Sequence, residues 1–179
     1  MNKKTATLVK ITTTALLIAV TVFLNRFLSV MTADTKIGFA FVPIMICGML
    51  YGPLWGAACG GLGDLVAAIL IPYGPPHLGI TLTAAITGAL YGLLGLLAAR
   101  QKNGLFVLSS VSVVLVEKVL CTLLLNSFWL SGITGLPLFT QMYTRLPQAA
   151  ILFIPEVILA LVTKNHIIPP VRRAINKMN

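Results

Sequence analysis

A single carboxylate, Asp64, lies inside the apolar segment GGLGDLVAAIL. Eleven residues separate it from Pro53, so on a membrane-crossing helix it would lie about 16 Å from that proline, near the middle of the bilayer. An ionisable group at that depth is costly unless it is paired or hydrated, and such groups often contact a solute. Asp64 is therefore a candidate ligand-binding residue. The alternative is a structural carboxylate that accepts hydrogen bonds from threonine or backbone groups of the fourth predicted helix, such as Thr83 or Thr87.

A second set of polar side chains follows helical spacing and would share one side of a helix. The set comprises Lys118, Thr122, Asn126 and Trp129. Asn126 offers a donor and an acceptor to a flat heterocycle, and Trp129 offers a stacking surface. The combined face favours ligand binding, although Trp129 alone is equally typical of the aromatic belt at the membrane surface. Glu117 points about 100° away from Lys118, which leaves it to pair with another neighbour.

Two arginines and one proline-rich turn complete the candidate binding residues. Arg26 and Arg145 lie where positive charge is otherwise scarce, and a pair of guanidinium groups can bind carboxylates bidentately. Their alternative role is to reach lipid phosphates. Tyr73 and His77 belong to the turn PYGPPHLG, which proline stiffens, and they could close a pocket from above. The alternative for His77 is a solvated loop histidine.

These residues predict binding rather than catalysis. GGLGD lacks the lysine and the hydroxyl residue of a phosphate-binding loop, and the sequence has no HExxH, paired-histidine or Ser-His-Asp arrangement. A small membrane enzyme that uses Asp64 and His77 is the alternative from another class. Cys47, Cys59 and Cys121 lie in apolar stretches without metal-ligand spacing, so we expect buried thiols and no metal site.

The elements that must position these residues are membrane helices. The chain has 179 residues, 58% hydrophobic and 9% charged, whereas soluble domains are about 25% charged. Six apolar runs predict an all-α integral membrane bundle of six transmembrane helices, in one domain over residues 1–179. The predicted spans are 5–24, 37–51, 53–71, 79–99, 104–129 and 142–163.

The lysines and arginines predict the orientation of the bundle. Nine of them lie on the side that holds both termini, whereas the opposite loops hold only Arg26, Lys36 and Arg145. Because positive residues concentrate on the cytoplasmic side, both termini are predicted to be cytoplasmic and the loops at 25–36, 72–78 and 130–141 to face outward. The net charge of +9 therefore reflects topology rather than nucleic-acid binding. The basic tail, 164–179, is predicted to lie on the cytoplasmic membrane surface.

Small residues at four-residue spacing predict close contacts between helices. Ala15 and Ala19 form such a pair on the first helix, and Gly56 and Gly60 form one on the third. Packing inside the bundle is the expected role of most such pairs. The first helix is the best candidate for binding another protein, because threonines and little bulk flank its small residues.

Three segments resemble one transporter family. YGPLWGAACGGLGDL, PHLGITLTAAITGALYG and LLLNSFWLSG resemble the substrate-binding S components of energy-coupling factor (ECF) vitamin transporters. The resemblance covers the chain from Ala15 to about Leu161. The LLLNSFWLSG segment and Arg26 make it most similar to the folate-specific members, whereas Lys118 and the segment SGITGLPLFTQMY have no clear match there.

The resemblance implies a six-helix protein of the bacterial plasma membrane that binds a vitamin from outside with high affinity and releases it inside. It implies a transmembrane coupling protein (T component), docked through Ala15 and Ala19. Two ATP-binding cassette ATPases would use the ATP, so the chain itself would need no cofactor. The alternatives are another vitamin (riboflavin, thiamine, biotin or a queuosine precursor) or a carrier that works without ATPases.

A folate ligand would use the candidate residues in a defined way. Aromatic and amide side chains, Trp129 and Asn126, would hold the pterin. Asp64 would accept hydrogen bonds from the pterin amino and ring N–H groups. Arg26 and Arg145 would bind the glutamate carboxylates.

Overall fold

The computed structural model describes residues 3–32, 35–72 and 77–177. Within them six principal helices pack against one another, and this confirms the predicted all-helical membrane fold. Five are long and apolar enough to cross a membrane, and the remaining one, α2, has eleven residues. The helices are α1 (Lys3–Phe27), α2 (Phe41–Tyr51), α3 (Pro53–Leu70), α4 (Leu78–Arg100), α5 (Asn103–Thr134) and α6 (Leu138–Val162).

The connections between α1 and α2 and between α5 and α6 differ from the predicted loops. A short antiparallel hairpin, β1 (Ser29–Thr32) and β2 (Thr35–Gly38), joins α1 to α2 and was not predicted. The predicted loop at 130–141 is wrong in extent, because α5 continues to Thr134 and α6 begins at Leu138. Gly135 ends α5 with a left-handed backbone (φ 72°), which favours glycine.

The junction of α2 and α3 follows the prediction from YGP. Gly52 has φ 95°, a conformation that residues with a side chain rarely adopt, and its backbone N–H donates to Gly48 O at 2.8 Å. Pro53 then occupies the first turn of α3, where a missing N–H breaks no hydrogen bond. The sharp turn lets the short α2 pack beside both α3 and α4.

Glycines bring α3 and α4 into backbone contact. A Cβ atom on Gly88 would meet Gly56 O and lie 2.5 Å from Gly56 C, and one on Gly60 would meet Ala84 O. This confirms internal packing as the role of these small residues. The close antiparallel crossing places the last turns of α3 beside the first turns of α4, where Asp64 lies.

The two faces of α1 have different surroundings. Thr14 and Thr21 are 4% and 1% exposed and face the other helices, whereas Ala15 and Ala19 lie on the exposed face. The small pair is therefore accessible from outside the bundle. The buried face is anchored to α2, because the Thr13 and Tyr51 hydroxyls are 2.7 Å apart.

The basic C-terminal segment begins as a continuation of α6. A π-helical turn, Thr163–Ile167, leads into a further helix, Ile168–Lys177. Lys164 Nζ donates to Gln101 O at 2.8 Å and lies 4.3 Å from the centre of the Phe106 ring. These contacts fix the start of the predicted tail against the connection between α4 and α5.

Candidate ligand-binding site

A cavity of about 200 Å³, with a largely apolar lining and several polar side chains, lies between α1, α2, α3, α4 and α5. Asp64 and Asn126, two of the predicted binding residues, both line it. The other lining residues come mainly from α1 and α4. They are Thr21, Asn25, Ala40, Ile44, Gly60, Ile80, Thr83, Ala84 and Thr87.

The carboxylate of Asp64 has one protein donor within the described chain. Thr81 Oγ1 donates to Asp64 Oδ2 at 2.8 Å. The partner is a threonine of α4, as the structural alternative predicted, although it is Thr81 rather than Thr83 or Thr87, the two examples chosen from the sequence. The crossing of α3 and α4 at Gly60 explains the shift, because it sets Asp64 beside the first turn of α4. Asp64 remains half-buried and keeps acceptor capacity towards the cavity.

Threonine hydroxyls in the cavity wall already donate hydrogen bonds to acceptors within the protein. Thr21 donates to Leu17 O at 2.8 Å, Thr83 to Gly79 O at 3.0 Å, and Thr87 to Glu117 Oε1 at 3.4 Å. A hydroxyl has one proton and two lone pairs, so each of these oxygens can still accept a hydrogen bond. Together with Asp64 they form a wall that mainly accepts hydrogen bonds.

Asn126 adds an acceptor that lacks a protein donor. Its Oδ1 atom is buried and has no hydrogen-bond partner in the described part of the chain. A buried carbonyl left without a donor costs about 1–3 kcal/mol. A hydrogen-bond donor in the cavity, such as a ligand N–H, would remove that cost.

Trp129 is not part of the described cavity lining, but it holds the lining residue Thr83 in place. Its Nε1 donates to Thr83 Oγ1 at 3.2 Å. The indole packs directly on Gly79, at the start of α4, and lies 5.4 Å from the centre of the His77 ring. His77 caps α4, because its Nδ1 accepts from the backbone N–H of Gly79 at 3.2 Å. Both predicted residues therefore support the cavity wall.

Adding a methyl group at Gly79 is expected to displace this indole. The new Cβ would lie 2.5 Å from Trp129 Cε2 and 2.7 Å from Cε3, far below van der Waals contact. We expect Gly79→Ala to shift the Trp129 fluorescence and lower ligand affinity, measured with Trp55 replaced by phenylalanine to leave one indole signal. Gly132→Ala is the control, because its Cβ would meet nothing within 4 Å. Equal spectra for both variants would contradict this packing.

The remaining candidate residues lie outside this wall. Arg26 is half-buried in the last turn of α1, next to the lining residue Asn25. Arg145 is half-buried on α6, and the described lining includes neither arginine. Their predicted contact with carboxylates stays a prediction. Tyr73 lies outside the described residues.

Beside the cavity lies a buried ionic cluster that the sequence reasoning did not assemble. Lys118 Nζ lies 2.9 Å from Glu117 Oε2 and 2.5 Å from Glu156 Oε1, and the Tyr91 hydroxyl donates to Glu156 Oε2 at 2.8 Å. Glu156 had the same signal as Asp64, a lone carboxylate in an apolar span. Lys118 was assigned to the binding face with Asn126, but it points to α6 instead.

Comparisons with known proteins agree with this architecture. A family model described as "ECF-type riboflavin transporter, S component" matches residues 5–165. The folate transporter FolT of Clostridium novyi (strain NT) is 32% identical over 139 residues, 78% of this chain and 78% of that one. FolT of Leuconostoc mesenteroides subsp. mesenteroides is 35% identical over 79 residues, 44% of this chain and 42% of that protein.

Solved structures share the fold. A crystal structure of FolT bound with folic acid superposes with a TM-score of 0.76 at 31% identity, over 88% of this chain and 95% of that chain. The S component for biotin from an ECF-type ABC transporter superposes with a TM-score of 0.64 over 97% of this chain and 95% of that chain. At 20% identity, the second likeness shows the fold alone.

Proposed function

The chain belongs to the family of S components of ECF-type transporters, integral proteins of the bacterial plasma membrane, and on that premise we propose that it is the subunit that captures folate. The observation that carries this proposal is the acceptor wall of the cavity, with Asp64 and the unmet Asn126 Oδ1 at its centre. The names of the curated relatives, both folate transporters, support the same ligand.

The hydrogen-bond pattern favours folate over riboflavin. The pterin ring of folate carries an amino group and an adjacent ring N–H, which are donors on one edge. The corresponding edge of a flavin has one N–H between two carbonyl oxygens. Against the lone pairs of Asp64 and Asn126 those carbonyls would be repelled or left without donors, whereas the pterin edge is complementary.

The cavity volume supports a proposal for which part of the ligand the cavity holds. Pockets that enclose a whole drug-sized ligand measure about 300–1,000 Å³, and this cavity has about 200 Å³. It therefore suits the two-ring pterin, with the remainder of folate extending past Asn25 towards Arg26. Arg26 would then pair with a ligand carboxylate.

Transport requires an orientation and partners. The excess of lysine and arginine at the termini supports cytoplasmic termini, which would open the Asp64 end of the cavity outward. A T component and two ATP-binding cassette ATPases would supply the energy, and the ATP would be used there. The exposed Ala15 and Ala19 on α1 would let a partner helix approach closely.

Larger side chains at Ala15 and Ala19 are expected to reduce transport while leaving ligand binding intact. Ala15→Leu and Ala19→Leu should reduce folate uptake at least about tenfold in cells that express the complete transporter, while folate affinity of the purified subunit stays unchanged. Uptake and equilibrium binding are the two measurements. Ala150→Leu, at another exposed alanine on α6, is the matched control and should leave both intact. Normal uptake by both α1 variants would show that the T component does not dock at Ala15 and Ala19.

Competition binding tests the proposed ligand. Radiolabelled folic acid should bind the purified protein at submicromolar concentration, and excess riboflavin, thiamine or biotin should leave that binding unchanged. Tight binding of riboflavin without binding of folic acid would overturn the proposal within the same family. Folate uptake that persists without co-expressed ATPases would instead indicate a carrier that works alone.

A further inference from the structure

The ionic cluster beside the cavity contains two carboxylates and only one ammonium group. Lys118 bridges Glu117 on its own helix and Glu156 on α6. It lies in a π-helical segment of α5, Lys118–Leu125, and such irregular turns often occur at functional sites. With all three groups ionised, the cluster would carry one net negative charge.

Burial makes that net charge unfavourable. Glu117, Lys118 and Glu156 are 4%, 6% and 1% exposed, inside helices that cross the membrane. An uncompensated buried charge costs several kcal/mol, and a buried group commonly becomes neutral instead. Among the residues that the structure describes, the other titratable neighbours are Tyr91 and Cys121, which are neutral at neutral pH and supply no positive charge.

The hydrogen bonds around the carboxylates accommodate an added proton. The Tyr91 hydroxyl lies 2.8 Å from Glu156 Oε2, and its oxygen can accept from a carboxylic acid as readily as its proton can be donated. Thr87 and Thr122 each approach Glu117 Oε1 at a long 3.4 Å. Thr87 also lines the ligand cavity, so its hydroxyl lies between the cluster and the cavity.

We propose that Glu117 and Glu156 share one bound proton at neutral pH, which makes the cluster an electrically neutral proton-binding site. The proton comes from a hydronium ion in cavity water: a carboxylate oxygen gains an O–H bond and one water molecule is released. This site is independent of which vitamin the cavity holds. It leaves Asp64 as the carboxylate that supplies negative charge to the ligand.

Infrared spectra of the full-length purified protein test the site. They are recorded in ordinary and in heavy water, in a detergent without ester groups, and compared between the wild type and the variants. The wild-type protein should show the C=O band of a protonated carboxyl, shifted in heavy water. Both Glu117→Gln and Glu156→Gln should lose it, because either change leaves one carboxylate balanced by Lys118. Lys118→Met should double its intensity, since two carboxyls would then need protons.

Asp64→Asn is the control and should keep the band, because Asp64 lies outside the cluster. Glutamine is nearly isosteric with a protonated glutamate, so both glutamine variants should fold; their melting temperatures and their folic acid binding check this separately. A wild-type spectrum without the band would overturn the proposal. Persistence of the band in either folded glutamine variant would also overturn it.

Discussion

Asp64→Asn is expected to weaken folic acid binding by about 10- to 100-fold. Hydrogen bonds to a charged acceptor contribute about 1.5–3 kcal/mol, and about 1.4 kcal/mol corresponds to a factor of ten in affinity. The amide both removes the charge and places an NH₂ group in the acceptor wall, where it would face the donors of the pterin. Equilibrium titration of the purified protein with folic acid measures the effect.

Glu156→Gln is the matched control for this change. It also turns a buried carboxylate into an amide, but Glu156 is bonded to Tyr91 and Lys118 and is outside the described cavity lining. Its folic acid affinity should stay within about twofold of the wild type. A similar loss in both variants would indicate general damage to the bundle rather than contact between Asp64 and the ligand.

Gly88→Val is expected to destabilise the protein most strongly and to abolish binding. Its Cβ would meet Gly56 O and lie 3.0 Å from Ala57 N, and backbone cannot move aside without separating α3 from α4. Overpacking typically costs about 1–3 kcal/mol, and we expect the upper end here because backbone, not a movable side chain, blocks the added group. The same separation would pull Asp64 away from Thr83 and Thr87 across the cavity.

Thermal unfolding in detergent and folic acid titration measure the two effects. Gly132→Val is the control, since it makes the same change in a helix at a position where a Cβ meets nothing within 4 Å. It should melt near the wild-type temperature and bind normally. If Gly88→Val behaved like Gly132→Val, the backbone contact between α3 and α4 would be wrong.

The helices and their closest contacts were predictable because they follow from local physics. Long apolar runs require helices in a bilayer, since every backbone N–H and C=O must be paired within the segment. Pro53 predicted the start of α3, and glycines at four-residue spacing predicted that Gly56 packs inside the bundle, where the structure shows it against α4. Asp64, which stood out because it lies in an apolar span, is one of the residues that line the cavity.

The division of α5 into two functional faces was not predictable. Helical spacing assumes 3.6 residues per turn, and the π-helical segment breaks that spacing after Glu117. Lys118 therefore faces α6, whereas Asn126 faces the cavity. Glu117 was expected to point away from Lys118, yet the two side chains form an ion pair.

Hydrogen-bond partners and cavity residues that depend on how distant segments pack were also not predictable from the sequence. The choice of Thr81 as donor to Asp64 depends on where α3 crosses α4, which local patterns do not specify. Thr21 and Asn25 line the cavity, although the sequence did not single them out. An isolated threonine or asparagine in a helix has no distinctive spacing that would predict a binding role. The hairpin after α1 lacks the asparagine–glycine type of turn that marks hairpins in sequence.

A native mass spectrum of the protein, purified from cells supplied with both folic acid and riboflavin, tests the account most directly. The acceptor wall predicts an adduct with the mass of a folate, lost in the Asp64→Asn variant. A riboflavin adduct on the wild-type protein, retained in that variant, would contradict it.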